Sequence, residues 1–303
     1  MPADKIRVEV EGRELELSNL DKVLYPAVGF TKGEVIDYYS RIAPVLLPHI
    51  RDRALTRIRF PNGVDGQSFF EKNAPANTPD WVRRKRLPAP GSTKDRETVD
   101  YVVADDLPTL VWLANLAALE LHSPQWKIGA DPDLLVVDLD PGAPAGLPEC
   151  CAVAVLMRDR LADDGITSYP KTSGKKGMQL CAPVSGRQSA EVVAGYVRRV
   201  AEELERSAPK SITSKMAKKL RPGKVFIDWS QNSAAKTTVA PYSLRAQPLP
   251  SVSTPLTWSE VEAVTKGKKG AVRQFTAAEV LVRVDEQGDL MADLLAGGPE
   301  VPA

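Results

Sequence analysis

Two aspartates, Asp138 and Asp140, follow the short apolar run of the string "LLVVDLDPG". Pro141 and Gly142 end the segment, and a short β-branched run closed by a turn predicts a buried strand. Residues two apart on a strand project from the same face, so the two carboxylates are expected side by side. Neighbouring carboxylates repel each other unless they share a cation, and hard oxygen ligands suit Mg²⁺ or Mn²⁺ rather than zinc.

A second acidic strand is predicted in "KVFIDWSQN", where Asp228 follows alternating apolar residues. A lone carboxylate in a basic stretch can simply pair with Lys224 or Arg221. Together with the D-x-D pair, however, it makes a group of three carboxylates that can hold two metal ions for nucleotidyl transfer. The D-x-D spacing alone does not decide between these interpretations, because sugar-nucleotide transferases and phosphatases of the haloacid dehalogenase type also use it.

The string "KTSGKKGMQL" predicts a glycine-rich turn between two strands. Gly174 and Gly177 would let successive backbone N–H groups point outward, and Ser173, Lys175 and Lys176 add donors and positive charge, as in a phosphate-binding nest. The spacing is not that of a Walker loop. An ordinary hairpin turn remains the alternative.

Charge is distributed unevenly along the 303 residues, although the formal net charge is only +1. The 75 residues from Lys171 to Arg245 carry 15 Lys and Arg against 5 Asp and Glu, a net of +10, so the rest carries −9. A second basic string, "RRKR", covers residues 83–86. Solvated helix faces are one explanation. A polyanionic partner, nucleic acid or a triphosphate, is the other.

The elements that must position these residues include both helices and hairpins, which predicts an α+β fold. We expect a hairpin over 6–18, helices over 31–50, 107–123, 148–164 and 190–207, strands over 54–60, 98–103, 134–140 and 224–230, and a strand pair within 166–184. A loop is predicted over 61–73. The proline-rich stretch 244–258 is the one candidate domain boundary, or seam.

Composition and termini exclude several classes of protein. The content is 43% hydrophobic and 26% charged, as in a globular protein, and no apolar run is long enough for a membrane helix. The three cysteines show no zinc-type or disulfide-type spacing. The charged start "MPADKIRVEV" predicts no signal peptide, so a cytoplasmic location is expected.

The strings "LSNLDKVLYP", "FPNGVDGQSFFEK", "ALELHSPQW", "VVDLDPG", "TSGKKGMQL" and "GKVFIDWSQNSAAKTTVAPYSLR" together resemble the polymerase domain of bacterial ligase D. That domain belongs to the archaeo-eukaryotic primase superfamily and acts in non-homologous end joining. The resemblance covers about residues 16–295 and implies a single domain over 1–303 with a tail over 296–303. It also implies the primase-polymerase fold, with mixed or antiparallel sheets flanked by helices and the catalytic acids on central strands.

The resemblance implies a template-directed polymerase that fills gaps and extends ends, uses two Mn²⁺ or Mg²⁺ ions and accepts ribonucleotides. The implied metal ligands and catalytic residues are Asp138, Asp140 and Asp228. The implied contacts with the NTP or dNTP are His122, Ser173, Lys175, Gln179, Lys236 and Arg245. The implied contacts with DNA and with the 5′-phosphate of its downstream strand are Lys22, Lys32, Arg57, Arg59, Phe69, Phe70 and Arg221.

Several of these residues have an ordinary alternative. His122 would otherwise be a packing or capping residue at a helix end, Lys22 and Lys32 surface lysines, and the two phenylalanines core residues. Gln179 stands where the family usually has histidine. Glutamine can donate to a phosphate but cannot become cationic, so weaker nucleotide binding is expected.

The expected partners are gapped or broken DNA, Ku and a separate ligase in the bacterial nucleoid. No K-x-D-G string of a ligase nucleophile occurs, so a polymerase-only protein or an excised domain is expected. The competing hypothesis is a DNA-end binding module with weak or no catalysis.

Overall fold

The structure is a computed structural model that describes residues 5–88, 97–268 and 270–302. The predicted domain 1–303 therefore includes residues 1–4, 89–96, 269 and 303, which lie outside the described part. The α-helices of that part are α1 (Lys32–Ile50), α2 (Leu107–Asn115), α3 (Leu147–Asp163), α4 (Ala190–Ser207), α5 (Trp258–Thr265) and α6 (Ala277–Gln287).

Short strands connect and separate these helices. In chain order they are β1 (Lys5–Val10), β2 (Arg13–Ser18), β3 (Val23–Tyr25), β4 (Phe30–Thr31), β5 (Thr56–Arg59), β6 (Phe69–Glu71), β7 (Arg84–Pro88), β8 (Thr98–Val102), β9 (Ala118–Ser123), β10 (Leu134–Pro141), β11 (Tyr169–Thr172), β12 (Met178–Pro183), β13 (Ile212–Thr213), β14 (Val225–Asp228), β15 (Thr238–Val239), β16 (Leu244–Ala246), β17 (Pro250–Val252) and β18 (Phe275–Thr276).

The central sheet has five strands in the order β11-β12-β10-β14-β13. All its pairs are antiparallel except β13 with β14, so the sheet is mixed. A four-stranded antiparallel sheet, β15-β9-β5-β6, and a three-stranded one, β16-β17-β18, complete the framework, and α3 and α4 pack against the central sheet. The predicted α+β class, with acids on central strands, is confirmed.

Local signals explain why several elements begin where they do. Thr31 and Glu34 form a reciprocal capping box at the start of α1, with hydrogen bonds of 3.2 and 2.7 Å. Glu11 and Gly12 both have positive φ and make the tight turn between β1 and β2. The predicted helices 31–50, 148–164 and 190–207 and the hairpin 6–18 are confirmed within a residue or two.

The predicted helix over 107–123 is wrong in its second half. Helix α2 ends at Asn115, Ala117 adopts a positive φ of 57°, and β9 begins at Ala118. The apolar run is buried on all sides, so its hydrophobic pattern does not distinguish a helix from a strand. The change from helix to strand places His122 on β9, next to β5 and β15.

Two other expectations fail. The loop predicted over 61–73 contains β6 at Phe69–Glu71. The proline-rich stretch 244–258 is not a seam, because it contributes β16 and β17 and joins β11 through a hydrogen bond from Thr172 N to the Thr254 carbonyl at 2.8 Å.

Near the end of the chain, Val301 is buried and exchanges hydrogen bonds with the Gln188 side chain.

Candidate active site

The carboxylates of Asp138, Asp140 and Asp228 lie on two neighbouring strands of the central sheet. Asp138 is directly opposite Asp228 in the antiparallel pair of β10 and β14, and Asp140 is two residues further along β10. Directly opposed residues share a face of a sheet, as do residues two apart on one strand. The structure therefore brings the three predicted acids together on one face of the sheet.

Burial and mutual repulsion change the titration of the two acids of β10. Burial, and after it the charge of Asp140, raise the pKa of Asp138 to about 7. Burial also raises the pKa of Asp140, with a contribution from Asp228 in the same direction and an opposing one from Arg221. A divalent cation between the acids would offset this repulsion, and carboxylate oxygens are ligands that Mg²⁺ and Mn²⁺ prefer.

Asp228 accepts hydrogen bonds from the turn that follows its own strand. Ser230 N and Gln231 Nε2 each donate to it at 3.0 Å, and Lys236 Nζ lies 3.7 Å from one carboxylate oxygen. In this conformation, no three His, Cys, Asp or Glu side chains of residues 5–88, 97–268 and 270–302 are close enough together to hold a metal ion. The donor chemistry fits a divalent cation, for which Asp228 would exchange part of its hydrogen bonds.

The glycine-rich turn between β11 and β12 lies beside Arg245. Gly174 has a φ of +70°, and a Cβ there would collide with the Arg245 side chain, so glycine is required. Ser173 Oγ accepts from the backbone N–H groups of Lys175 at 3.2 Å and Gly177 at 3.3 Å, and Arg245 Nη1 donates to the Ser173 carbonyl at 2.9 Å. The predicted residues Ser173, Lys175 and Arg245 are thus brought together.

Glu120 is a buried carboxylate in this group that the sequence analysis missed. It is 1% exposed, and one of its oxygens lies 3.2 Å from Lys175 Nζ and 3.3 Å from Arg245 Nε. Its other oxygen is 2.9 Å from His122 Nε2. Although burial opposes the change, the hydrogen bond with His122 and the positive charges lower the pKa of Glu120 to about 2. Glu120 therefore links three of the predicted nucleotide contacts.

His122 is oriented by this carboxylate. It is one of only two histidines in the chain, and burial lowers its pKa despite the opposing effect of Glu120. Glu120 and His122 are two apart and share a face of β9. The string "ELHS" would have indicated their contact if it had been interpreted as a strand rather than as a helix end.

Gln179 lies between Lys171 and Asp138 in the central sheet. Its Nε2 donates to Asp138 Oδ1 at 2.9 Å, and its Oε1 accepts from Lys171 Nζ. The side chain is buried and its amide faces the acids instead of the glycine-rich turn. The expected contact of Gln179 with a triphosphate stays a prediction.

Lys22, Lys32 and Arg59 form a cluster of positive charge. Lys32 Nζ donates to the Ser18 carbonyl at 2.5 Å, and Lys22 Nζ donates to Asn62 Oδ1 at 3.0 Å. Burial, and after it the charges of Lys22 and Arg59, lower the pKa of Lys32 to about 8. An anion bound here would relieve this mutual repulsion.

The two arginines of β5 differ in accessibility. Arg57 is fully buried and donates to Glu71 at 3.1 Å and to the Asn73 carbonyl at 2.6 Å. Arg59 is partly exposed and donates to Glu71 at 2.9 Å and to the Leu116 carbonyl at 2.7 Å. The position of Arg57 does not support the predicted contact with DNA, because its guanidinium is enclosed by protein. Arg59 keeps access to solvent.

Phe69 and Phe70 lie on β6, at the edge of the four-stranded sheet. They are 41% and 58% exposed, so the alternative of two core residues is wrong. Large aromatic side chains exposed on a short edge strand can stack on nucleic-acid bases.

Arg221 lies close to the acids. Its guanidinium stacks on the Phe226 ring at 3.7 Å and donates to the Met216 carbonyl at 2.8 Å, and its charge acts on Asp140. The basic neighbour of Asp228 is Lys236, not Lys224 or Arg221.

The "RRKR" string is partly neutralised. Most of it lies on exposed β7, and Arg83 Nη1 is 2.5 Å from a carboxylate oxygen of Asp52 and from one of Asp105.

No helix of the described ranges is both long and apolar enough to cross a membrane.

Comparisons with known proteins agree on one family. Residues 31–291 match the family model of the LigD primase-polymerase domain. The multifunctional non-homologous end joining DNA repair protein LigD of Mycobacterium tuberculosis is 42% identical over 297 residues, which cover 95% of this chain and 38% of the relative. The bifunctional non-homologous end joining protein LigD of Bacillus subtilis is 34% identical over 277 residues, covering 91% of this chain and 43% of the relative.

Among solved structures, the polymerase domain of Mycobacterium tuberculosis ligase D in complex with DNA superimposes with a TM-score of 0.87 at 42% identity, covering 95% of this chain and 99% of that domain. The chain spans less than half the length of the curated relatives it matches.

Proposed function

Since the chain belongs to the LigD primase-polymerase domain family, we propose that it is a template-directed nucleotidyltransferase. It fills gaps and extends ends of DNA, with ribonucleotides as well as deoxyribonucleotides, in double-strand break repair by non-homologous end joining. The observation that carries this proposal is the shared face of Asp138, Asp140 and Asp228 on two paired central strands. The contiguous hydrophobic cluster from Leu15 to Val301 supports a single domain.

Asp138, Asp140 and Asp228 are the residues that would hold two Mn²⁺ or Mg²⁺ ions. When bound, such ions align a primer 3′-hydroxyl with the α-phosphate of a nucleotide and neutralise the departing pyrophosphate. The protein's own contribution is to keep the three carboxylates on one face and to hold them there by strand pairing.

The triphosphate would lie against the glycine-rich turn. Lys175 and Arg245 supply positive charge, and their shared partner Glu120 keeps both side chains in place before a nucleotide arrives. Ser173 Oγ accepts hydrogen bonds from the backbone N–H groups of Lys175 and Gly177 and so fixes the shape of the turn. His122, Gln179 and Lys236 are proposed as further nucleotide contacts.

DNA would be bound by positive charge and by aromatic stacking. Lys22 and Lys32 are proposed to bind the 5′-phosphate of the downstream strand, and the depressed pKa of Lys32 supports an anion as their partner. Exposed Phe69 and Phe70 are proposed to stack on template bases. Arg59 and Arg221 are proposed to contact phosphates. We further propose a cytoplasmic, nucleoid location with Ku and a separate ligase as partners.

Nucleotide incorporation into gapped DNA tests this function. A primer facing each of the four template bases is offered all nucleotides singly, with Mn²⁺ or Mg²⁺ and as ribo- or deoxyribonucleotides. The proposal predicts addition of the complementary nucleotide with either metal. Addition that ignores the template base, or none in any condition, would contradict it.

The second candidate function is a DNA-end binding module with weak or no catalysis. Ser230 N and Gln231 Nε2 donate to Asp228 and occupy acceptor sites on both of its oxygens in the present conformation, which favours this function. The same experiment separates the two functions when DNA affinity is measured in parallel. Tight binding of ends without any templated addition would support the module.

A further inference from the structure

Lys171 is a buried lysine that is not itself among the proposed metal, nucleotide or DNA contacts. Its side chain is 0% exposed. Its ammonium group donates to Gln179 Oε1, to the Val239 carbonyl at 3.0 Å and to Ser253 Oγ at 2.7 Å. A buried ammonium costs several kcal/mol unless its hydrogen bonds are satisfied. Three acceptors for its three N–H groups keep it in one orientation.

The strand register places Lys171 at the end of a row that reaches the acids. Lys171 is directly opposite Gln179, Gln179 is opposite Asp138, and Asp138 is opposite Asp228, across β11, β12, β10 and β14. Directly opposed side chains share one face, so the four form a continuous line.

The direction of the hydrogen bonds along this row is determined by Lys171. An ammonium group can only donate, so Gln179 must turn its carbonyl oxygen toward Lys171 and its NH₂ group toward Asp138. A neutral residue at position 171 would leave both orientations of the amide accessible. In one of them the amide oxygen would face the Asp138 carboxylate.

We propose that Lys171 is a positioning residue that acts through Gln179 to orient the Asp138 carboxylate for a divalent cation. This inference rests on the proposed function. Residues that do not touch the metal but orient its ligands through hydrogen bonds contribute about 10- to 100-fold in metal affinity or activity. Lys171 is linked to Asp138 through Gln179 and has no other assigned role in the site.

Manganese binding by the full chain, without DNA or nucleotide, tests the proposal. The free Mn²⁺ concentration is followed by electron paramagnetic resonance for Lys171→Met, Gln179→Met and the double variant. We expect each single change to raise the Kd for Mn²⁺ about 10-fold. The double change is expected to raise it no further, because both act on one hydrogen-bond chain. Lys210→Met, at an exposed lysine, is the control and leaves the Kd unchanged.

The side-chain amide signals of Gln179 in the metal-free protein provide a second readout. Lys171→Met should shift or double these signals, because both orientations of the buried amide then become accessible, whereas they stay single and unshifted if Lys171 does not orient the amide. Unchanged signals or an unchanged Kd for Mn²⁺ would overturn the proposal. It would also be overturned if the Kd of the double variant rose by the product of the two single increases.

Two controls keep the outcomes distinct. If Lys171→Met does not fold, the double variant is used beside Gln179→Met, because it replaces both polar partners with apolar side chains. The proposal is then overturned if either variant has the same Kd for Mn²⁺ as the wild type. Full Mn²⁺ binding by Asp138→Asn would overturn the metal site of the proposed function and this inference with it, whereas weakened binding by Asp138→Asn with an unchanged Kd for Lys171→Met would overturn the inference alone.

Discussion

Replacing Glu120 with glutamine should cost much of the stability of the free protein. The pKa of this carboxyl falls from its ordinary value of 4.5 to about 2 because, against the effect of burial, His122, Arg245 and Lys175 stabilise the ionised form. A lowering of this size corresponds to about 3 kcal/mol in favour of the charged form. Glu120 is 1% exposed, so solvent screening takes little from this value. Glutamine keeps the shape of the side chain and removes the charge.

The assay is urea unfolding near neutral pH, with Glu279→Gln as the matched control. The pKa of Glu279 also falls to about 2, chiefly through its hydrogen bond with Arg273, but its side chain is 40% exposed. Exposed ion pairs contribute about 1 kcal/mol or less, and glutamine preserves the capping box that Glu279 forms at α6. We expect a loss of about 3 kcal/mol for Glu120→Gln and of less than about 1 kcal/mol for the control.

The pH dependence gives an independent check on the sign. A carboxyl with a depressed pKa in the folded state binds fewer protons there than in the unfolded chain. Its stabilisation is present above the unfolded value of 4.5 and is lost as the pH falls toward about 2. The difference between wild type and Glu120→Gln should therefore shrink below about pH 4. Equal losses for the two variants, or a difference that does not change with pH, would refute the reasoning.

The remaining predictions concern DNA. Double substitution Lys22→Ala and Lys32→Ala should erase the preference for a 5′-phosphorylated over a 5′-hydroxyl gap in fluorescence anisotropy, and a surviving preference would place the phosphate site elsewhere. Because the pKa of Lys32 is about 8, the wild-type preference should weaken as the pH rises through that value, and a preference that stays flat would exclude Lys32 as a contact. Alanine at Phe69 or Phe70 should weaken gapped-template binding by about 1–3 kcal/mol per lost stack; unaltered affinity would remove stacking from the account.

The acidic strands could be predicted because each has a local signature. Short β-branched runs followed by aspartate were sufficient to place Asp138, Asp140 and Asp228 on strands, and the i, i+2 rule placed two of them on one face. The pairing of β10 with β14 is a contact between distant segments, and no local pattern specifies it. The partners of Asp228 in the following turn also required the structure.

Glu120 shows how one wrong element conceals a site residue. The chain changes from helix to strand at Ala117, whose positive φ is not signalled by a glycine. With the segment interpreted as helix, Glu120 and His122 pointed in different directions and their contact was not visible. Lys171 was missed for another reason, since only the register across three strands connects it with Asp138.

The central claim is that the three carboxylates serve catalysis and not DNA binding. Its most direct test is single-turnover addition of one complementary nucleotide to a 5′-phosphorylated gap in Mn²⁺, for the wild type and Asp228→Ala, with DNA affinity measured on the same substrate. We predict that extension is abolished while the Kd for DNA stays within about twofold, because basic side chains supply the affinity. Extension by Asp228→Ala at the wild-type rate would contradict the claim.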